Sequence, residues 1–329
     1  MVAETEFETK NMNYSSFPAK LFQAFRSSPL PSFAVTLLTL VTAASAEIGK
    51  TFPSPEDAAN ALAAAAATKN GSELKAIFGP AIEELRNPDA VASENELATF
   101  AAAFGENHRI IRESDTRANL EIGAGHWPFP IPLAQKNGRW FFDSDAGKEE
   151  LFNRRIGRNE LAALDTVRAY VEAQREYASR DRDGDNVLEY AQHILSAPGS
   201  KNGLYWPREI DGEISPFGPL VAVAQEEGYR SSSGERPGPK PFHGYYFKIL
   251  TGQGRHAPGG QYNYIINGNM IGGFGLVAWP ADYGNSGIMT FIVNQQGKVF
   301  QKDLGAKTES RAAAMKQYDP DDTWKVSRD

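Results

Sequence analysis

Asp181, Asp183 and Asp185 stand at alternate positions and form the densest chemical feature of the chain. Carboxylates packed this closely repel one another unless a cation sits among them, and a hard cation such as calcium takes an all-oxygen cage. The other chemistry-bearing residues form no such constellation. Five histidines, His108, His126, His193, His243 and His256, make no paired-histidine metal motif. There is no Gly-x-Ser-x-Gly elbow. The glycine-rich run 268–275 lacks the lysine of a phosphate loop and reads as a bulged turn between strands. His243 beside Tyr245 and Tyr246 offers a base–phenol pair, with strand packing as the plainer alternative. Acid pairs such as Asp143 and Asp145 are common on turns. The chain leans away from being an enzyme.

The run 181–192 matches the twelve-residue calcium loop of EF-hands at positions one, three and five. Position six is Asn186 in place of glycine, and asparagine tolerates the left-handed backbone needed there. Val187 offers a carbonyl at position seven, and Leu188 is the apolar eighth residue. Position twelve is Gln192 instead of a bidentate glutamate, which makes Glu189 the candidate for the missing acid. The expected calcium ligands are therefore Asp181, Asp183, Asp185, Val187 and Glu189. The alternative is a solvated acidic turn neutralised by Arg180 and Arg182, with Glu189 starting a following helix.

The elements that must position this loop divide near residue 150. In the first part, 50–150, helices precede strands. Ser54 caps a helix that opens on Pro55, Glu56 and Asp57 and continues through an alanine-rich run. A second helix is expected over 72–78, and a third over 93–104 with Ser93 and Glu96 as a capping box. Strands follow at 109–112, 118–122, 131–133 and 139–142, with Asn137-Gly138 as a hairpin turn. Residues 127–133, with proline at every second place, belong at a sheet edge. This order predicts an α+β domain, with the helix-over-sheet cone of nuclear-transport-factor-2-like (NTF2-like) domains as one concrete form.

In the second part, 151–329, a long helix is expected from an Asn159 cap through Tyr177, with Leu161, Leu164, Val167, Val171 and Gln174 on one stripe. The arginines before it, Arg154, Arg155 and Arg158, are read either as an anion site or, preferably, as ties between the two parts. After the acidic loop come an aromatic loop at 203–207, a short helix at 220–227 and a flexible loop at 231–239. Strands are expected at 245–250, 262–266, 275–279, 289–293 and 298–301, the last two joined by a turn at 294–297. The architecture predicted is again α+β: a long helix packed on an antiparallel meander.

Composition sets outer bounds. The 329 residues are 41% hydrophobic and 23% charged, values of a folded chain. A net charge of −7 repels phosphate backbones, so nucleic acid is not an expected partner. With no cysteine, there is neither a disulfide nor thiol chemistry. Lys20 and Arg26 precede an apolar stretch at 33–41, and Ala44-Ser-Ala46 follows. This is a secretory pattern, so residues 1–46 are read as a signal peptide cleaved near Ala46, and the mature chain as periplasmic or extracellular with no membrane span.

The chain strongly resembles the bacterial family of unknown function numbered 2950. The matching stretches include 126–133, 153–161, 170–178, the 181–192 loop, 203–207, 243–248, 270–274, 278–284 and 290–294. The resemblance implies export but no activity. The second part is also similar to the globular heads of pilin-like proteins, some of which bind calcium in a head loop; that similarity would place the ion near 181–189. Three functional readings follow. The first is an exported, non-catalytic binding or assembly module for an envelope or extracellular protein or polymer, stabilised by calcium. The second is a hydrolase of envelope polymers using Asp or Glu in an aromatic cleft around Tyr205, Trp206 and Trp279. The third is an accessory of a pilin-like secretion apparatus.

Overall fold

A computed structural model describes residues 48–207, 212–229 and 240–327. The signal peptide expected at 1–46 and the loop at 231–239 lie outside the described residues.

Helix α1 (Pro55–Ala67) begins where Ser54 Oγ accepts the Asp57 amide at 3.0 Å, as its residues require. Helix α2 (Gly71–Phe78) is capped by Asn70, and a single turn, α3 (Ile82–Leu85), follows. Helix α4 (Ala90–Glu106) starts three residues before the expected capping box. Asp89 is the cap, accepting from the Ala92 amide at 3.0 Å. Pro88 cannot continue a helix backward, so the cap falls directly after it. Glu96 is thereby freed to pair with Arg158.

Five strands follow: β1 (His108–Ser114), β2 (Arg117–Ile122), β3 (Trp127–Pro128), β4 (Leu133–Lys136) and β5 (Arg139–Phe142). The sheet order is β1-β2-β4-β5, all antiparallel, with β3 also paired to β2. Asn137 and Gly138 both take positive φ, 52° and 74°, in the β4–β5 hairpin. Ile131 lies outside β4, in a stretch where Pro130 and Pro132 have no N–H to donate to a ladder. Helices α1 and α2 close one face of the sheet over Phe52, Leu62, Ile77, Leu133, Trp140 and Phe142.

Helix α5 (Ser144–Tyr177) is 34 residues long. Its cap lies sixteen residues before the expected Asn159 cap, at Asp143, which accepts from the Ala146 amide at 3.1 Å. Asn159 is a buried mid-helix residue that donates to Ser286 O at 2.9 Å. The division expected near 150 falls inside this helix, and the described residues pack as one compact unit. Leu164, Val167, Val171 and Gln174 are buried as the stripe required, whereas Leu161 is 44% exposed.

The remaining strands are β6 (His193–Leu195), β7 (Gly203–Tyr205), β8 (Tyr245–Leu250), β9 (Gly252–Gln253), β10 (Tyr262–Asn263), β11 (Ile265–Ile266), β12 (Asn269–Met270), β13 (Gly275–Pro280), β14 (Met289–Asn294), β15 (Phe300–Asp303), β16 (Gln317–Tyr318) and β17 (Lys325–Val326). Helix α6 (Gly218–Glu226) precedes β8, and α7 (Thr308–Ala314) follows β15. Strands β17, β15, β14, β13 and β8 form an antiparallel sheet in that order. Alternation along β13 sends Leu276 and Ala278 to the α5 side, and Val277 and Trp279 to a second cluster with Ala312 of α7. The expected strand 262–266 breaks at Tyr264 into β10 and β11, and the final hairpin strand lies two residues later than expected. The fold is α+β, with the long helix packed on an antiparallel meander.

Candidate metal loop

The chain leaves α5 at Tyr177 and turns sharply. Gly184 (φ 81°) and Asn186 (φ 66°) both adopt the left-handed backbone, Asn186 at the position where the loop pattern called for it. These turns fold the loop's amides back onto its own acids. Asp181 accepts from the Gly184 amide at 2.8 Å and the Asn186 amide at 2.9 Å. Asp185 accepts from the Val187 amide at 2.8 Å. One carboxylate oxygen from each of Asp181, Asp183 and Asp185 lies within 4.8 Å of the others, and all three residues are exposed.

The electrostatics of the three acids differ. Amide donation from Gly184 and then Asn186 holds the Asp181 carboxyl below its ordinary range. Asp183 moves the other way, raised first by desolvation and next by the charge of Asp185. The neighbouring cations do not neutralise the cluster. Arg182 is buried over Trp206, 5.3 Å from the ring centroid, and pairs with Glu213. Arg180 also turns to Glu213, at 3.4 Å, as does Lys201 at 2.7 Å.

The structure brings the three aspartates together but not Glu189. Its Oε2 accepts from the Met270 amide at 2.8 Å, which docks the loop on the β11–β12 hairpin. No helix starts at Glu189; residues 193–195 form β6. Gln192, at the twelfth position, donates to Gly268 O at 2.6 Å. Asn269, not anticipated from the sequence, donates to Asp185 Oδ2 at 2.6 Å. Asn267 and Gly268, at positive φ of 53° and 95°, turn the hairpin that carries it. That Asn-Gly pair was the available signal, but nothing in it told which loop the hairpin would meet.

The remaining candidates resolve into structural roles. Arg155 is buried and donates to Leu85 O at 2.7 Å, Arg86 O at 3.3 Å and the Asn285 side chain. Arg154 donates to Pro128 O at 2.7 Å. The arginines thus tie α5 to strand β3 and to the end of α3, both in the first part of the chain, as the second of their two readings had it. Asp143 is a helix cap. His243 does not pair with Tyr245 or Tyr246: its Nε2 lies 3.1 Å from Glu227, and its ring packs at a tilt against Phe242, centroids 4.2 Å apart. Tyr245 is buried and donates to Met289 O at 2.9 Å. Trp206 packs under α5 and Trp279 on the opposite side of the sheet, so Tyr205, Trp206 and Trp279 do not line one cleft.

The fold and this loop define an α+β protein with a compact acidic turn docked on a β-hairpin, in which no described helix is long and apolar enough to cross a membrane. The model of the family described as protein of unknown function (DUF2950) matches residues 49–327, and the chain belongs to that family. No curated protein and no solved structure matches it.

Proposed function

We propose that the chain is an exported, non-catalytic binding or assembly module whose 181–189 segment is steadied by calcium. The observation that carries this reading is the set of three aspartate carboxylates within 4.8 Å of one another while the adjacent arginines are engaged by Glu213. Hard, exposed oxygen donors are the donor type calcium takes, with water or carbonyls completing a shell of six to eight. Asp181, Asp183 and Asp185 would hold the ion; Val187 would add its carbonyl. Glu189 acts indirectly, fixing the loop to Met270. Export rests on the secretory pattern at 33–46, and the partner would be an envelope or extracellular protein or polymer.

The test is thermal unfolding of the mature chain in calcium and in chelator. Calcium at about one hundred times its dissociation constant stabilises by about 2.7 kcal/mol, a rise of several degrees in melting temperature. The rise should vanish in Asp183→Ala. Equal melting with and without calcium ends the cation reading.

A further inference from the structure

Strand β8 (Tyr245–Leu250) ends its sheet: β13 pairs along one side, and among the described residues no strand pairs along the other. The directions of its backbone groups follow from its ends. Tyr245 exchanges hydrogen bonds with Phe242, at 2.9 and 3.1 Å, on the side away from β13. Thr251 also faces away, donating to Lys316 O at 3.1 Å and accepting from Tyr264 at 2.9 Å. Gly244, one residue off in the alternation, accepts from Ala281 at 2.9 Å on the β13 side. Alternation along an antiparallel strand therefore turns the N–H and C=O groups of Phe247 and Ile249 outward. Neither residue has a hydrogen-bond partner on that side among the described residues.

Native edges are guarded by charge, bulges, proline or shortness. The outer edge of β1 carries Arg109, Arg112 and Glu113 and a register shift between Arg112 and Ser114. Strand β17 is two residues long. Strand β8 has neither device: its sequence is Tyr-Tyr-Phe-Lys-Ile-Leu, strongly strand-forming. Its one charge, Lys248, is drawn off to Ala313 O at the end of α7. Phe247 and Ile249 are held in place by the cluster under α5, so the edge is rigid.

We propose that the outer edge of β8 is a strand-addition site that takes an extended peptide segment of a partner protein through the backbone groups of Phe247 and Ile249. Two donors and two acceptors repeating every second residue, about 7 Å apart, are matched by another extended backbone. The paired ends at Tyr245 and Thr251 limit the opening to a short peptide segment. A second copy of this chain fits less well. The two-fold register that satisfies Phe247 and Ile249 sets Lys248 opposite Lys248 of the other copy, a like-charge pair. The inference does not use the aspartate loop and stands if that loop binds nothing.

The test is amide hydrogen exchange read by NMR, with an acetylated and amidated Thr-Val-Thr-Val-Thr-Val peptide as probe. In the free protein, the Phe247 and Ile249 amides should exchange at least about tenfold faster than those of Tyr246 and Lys248. Saturating peptide should slow the two outward amides by about tenfold or more, and the same peptide N-methylated at alternate residues should bind at least about tenfold more weakly. Protection of Phe247 and Ile249 in the free protein equal to that of their neighbours overturns the proposal. So does the absence of binding at millimolar peptide, or equal binding of the methylated form. Protection that grows with protein concentration alone assigns the edge to a second copy and overturns the peptide reading.

Discussion

One charge cluster lies in the first half of helix α5 and another just past its C-terminus, and the two have opposite fates. In sequence, Arg154, Arg155 and Arg158 and the trio Asp181, Asp183 and Asp185 look alike: like charges, closely spaced, each able to hold a counter-ion. In the fold the arginines are consumed. Arg155 closes the carbonyls of Leu85 and Arg86, Arg154 takes Pro128 O, and Arg158 takes Glu96. The aspartates accept from amides of their own loop and from Asn269, and their carboxylates face solvent. A charge cluster becomes a candidate site when the fold provides its shape but not its counter-charge. One that the fold neutralises is part of the scaffold.

The contrast is broken most directly at Arg155. Replacing it with methionine keeps much of the volume but removes the guanidinium donor from Leu85 O and the Asn285 side chain, and one of the two donors from Arg86 O. Unfolding in urea should show a loss of about 1–3 kcal/mol, the penalty for stranded buried polar groups. Arg158→Ala, which breaks an exposed pair with Glu96, should cost less than about 1 kcal/mol. A loss at Arg155 no larger than that at Arg158 would place both on the surface and undo the distinction.

Much of the fold was legible because its signals are local. Ser54-Pro55, Asn137-Gly138 and the strand at 245–250 require only their immediate neighbours, and each stands where its residues placed it. The errors came where tertiary contact overrode local preference. Asn159 has the chemistry of a cap, but the Ser286 carbonyl gives its amide a partner inside the helix, so α5 runs through it from Asp143. The Ser93 and Glu96 box gave way to Asp89, whose position after Pro88 decides the helix start. In the candidate site, the three aspartates and the left-handed Asn186 were legible from spacing. Glu189 was misjudged because its partner, the Met270 amide, lies 81 residues away on a hairpin, and Asn269 was missed for the same reason.

A smaller effect sharpens the acidic half of the comparison. The raised Asp183 carboxyl binds its proton more tightly folded than unfolded, so its contribution to stability falls as pH rises through the folded-state value. Asp181, lowered by amide donation, acts oppositely, and its contribution is lost as pH falls through its depressed value. In chelator at neutral pH, Asp183→Asn should therefore be as stable as the parent or slightly more so, within about 0.5 kcal/mol. The difference should shrink at a pH low enough to protonate Asp183 in both states. Urea titrations across pH measure this; a clear loss on Asp183→Asn in chelator would mean that the carboxylate is a structural acceptor.

Three carboxylates around a gap call for an ion between them, and a crystal structure of residues 47–329 grown with calcium shows whether one binds there. One ion bonded to Asp181, Asp183 and Asp185 at 2.3–2.6 Å is expected, with Glu189 still on the Met270 amide. Three hydrated aspartates with no ion among them, in crystals saturated with calcium, would contradict that expectation.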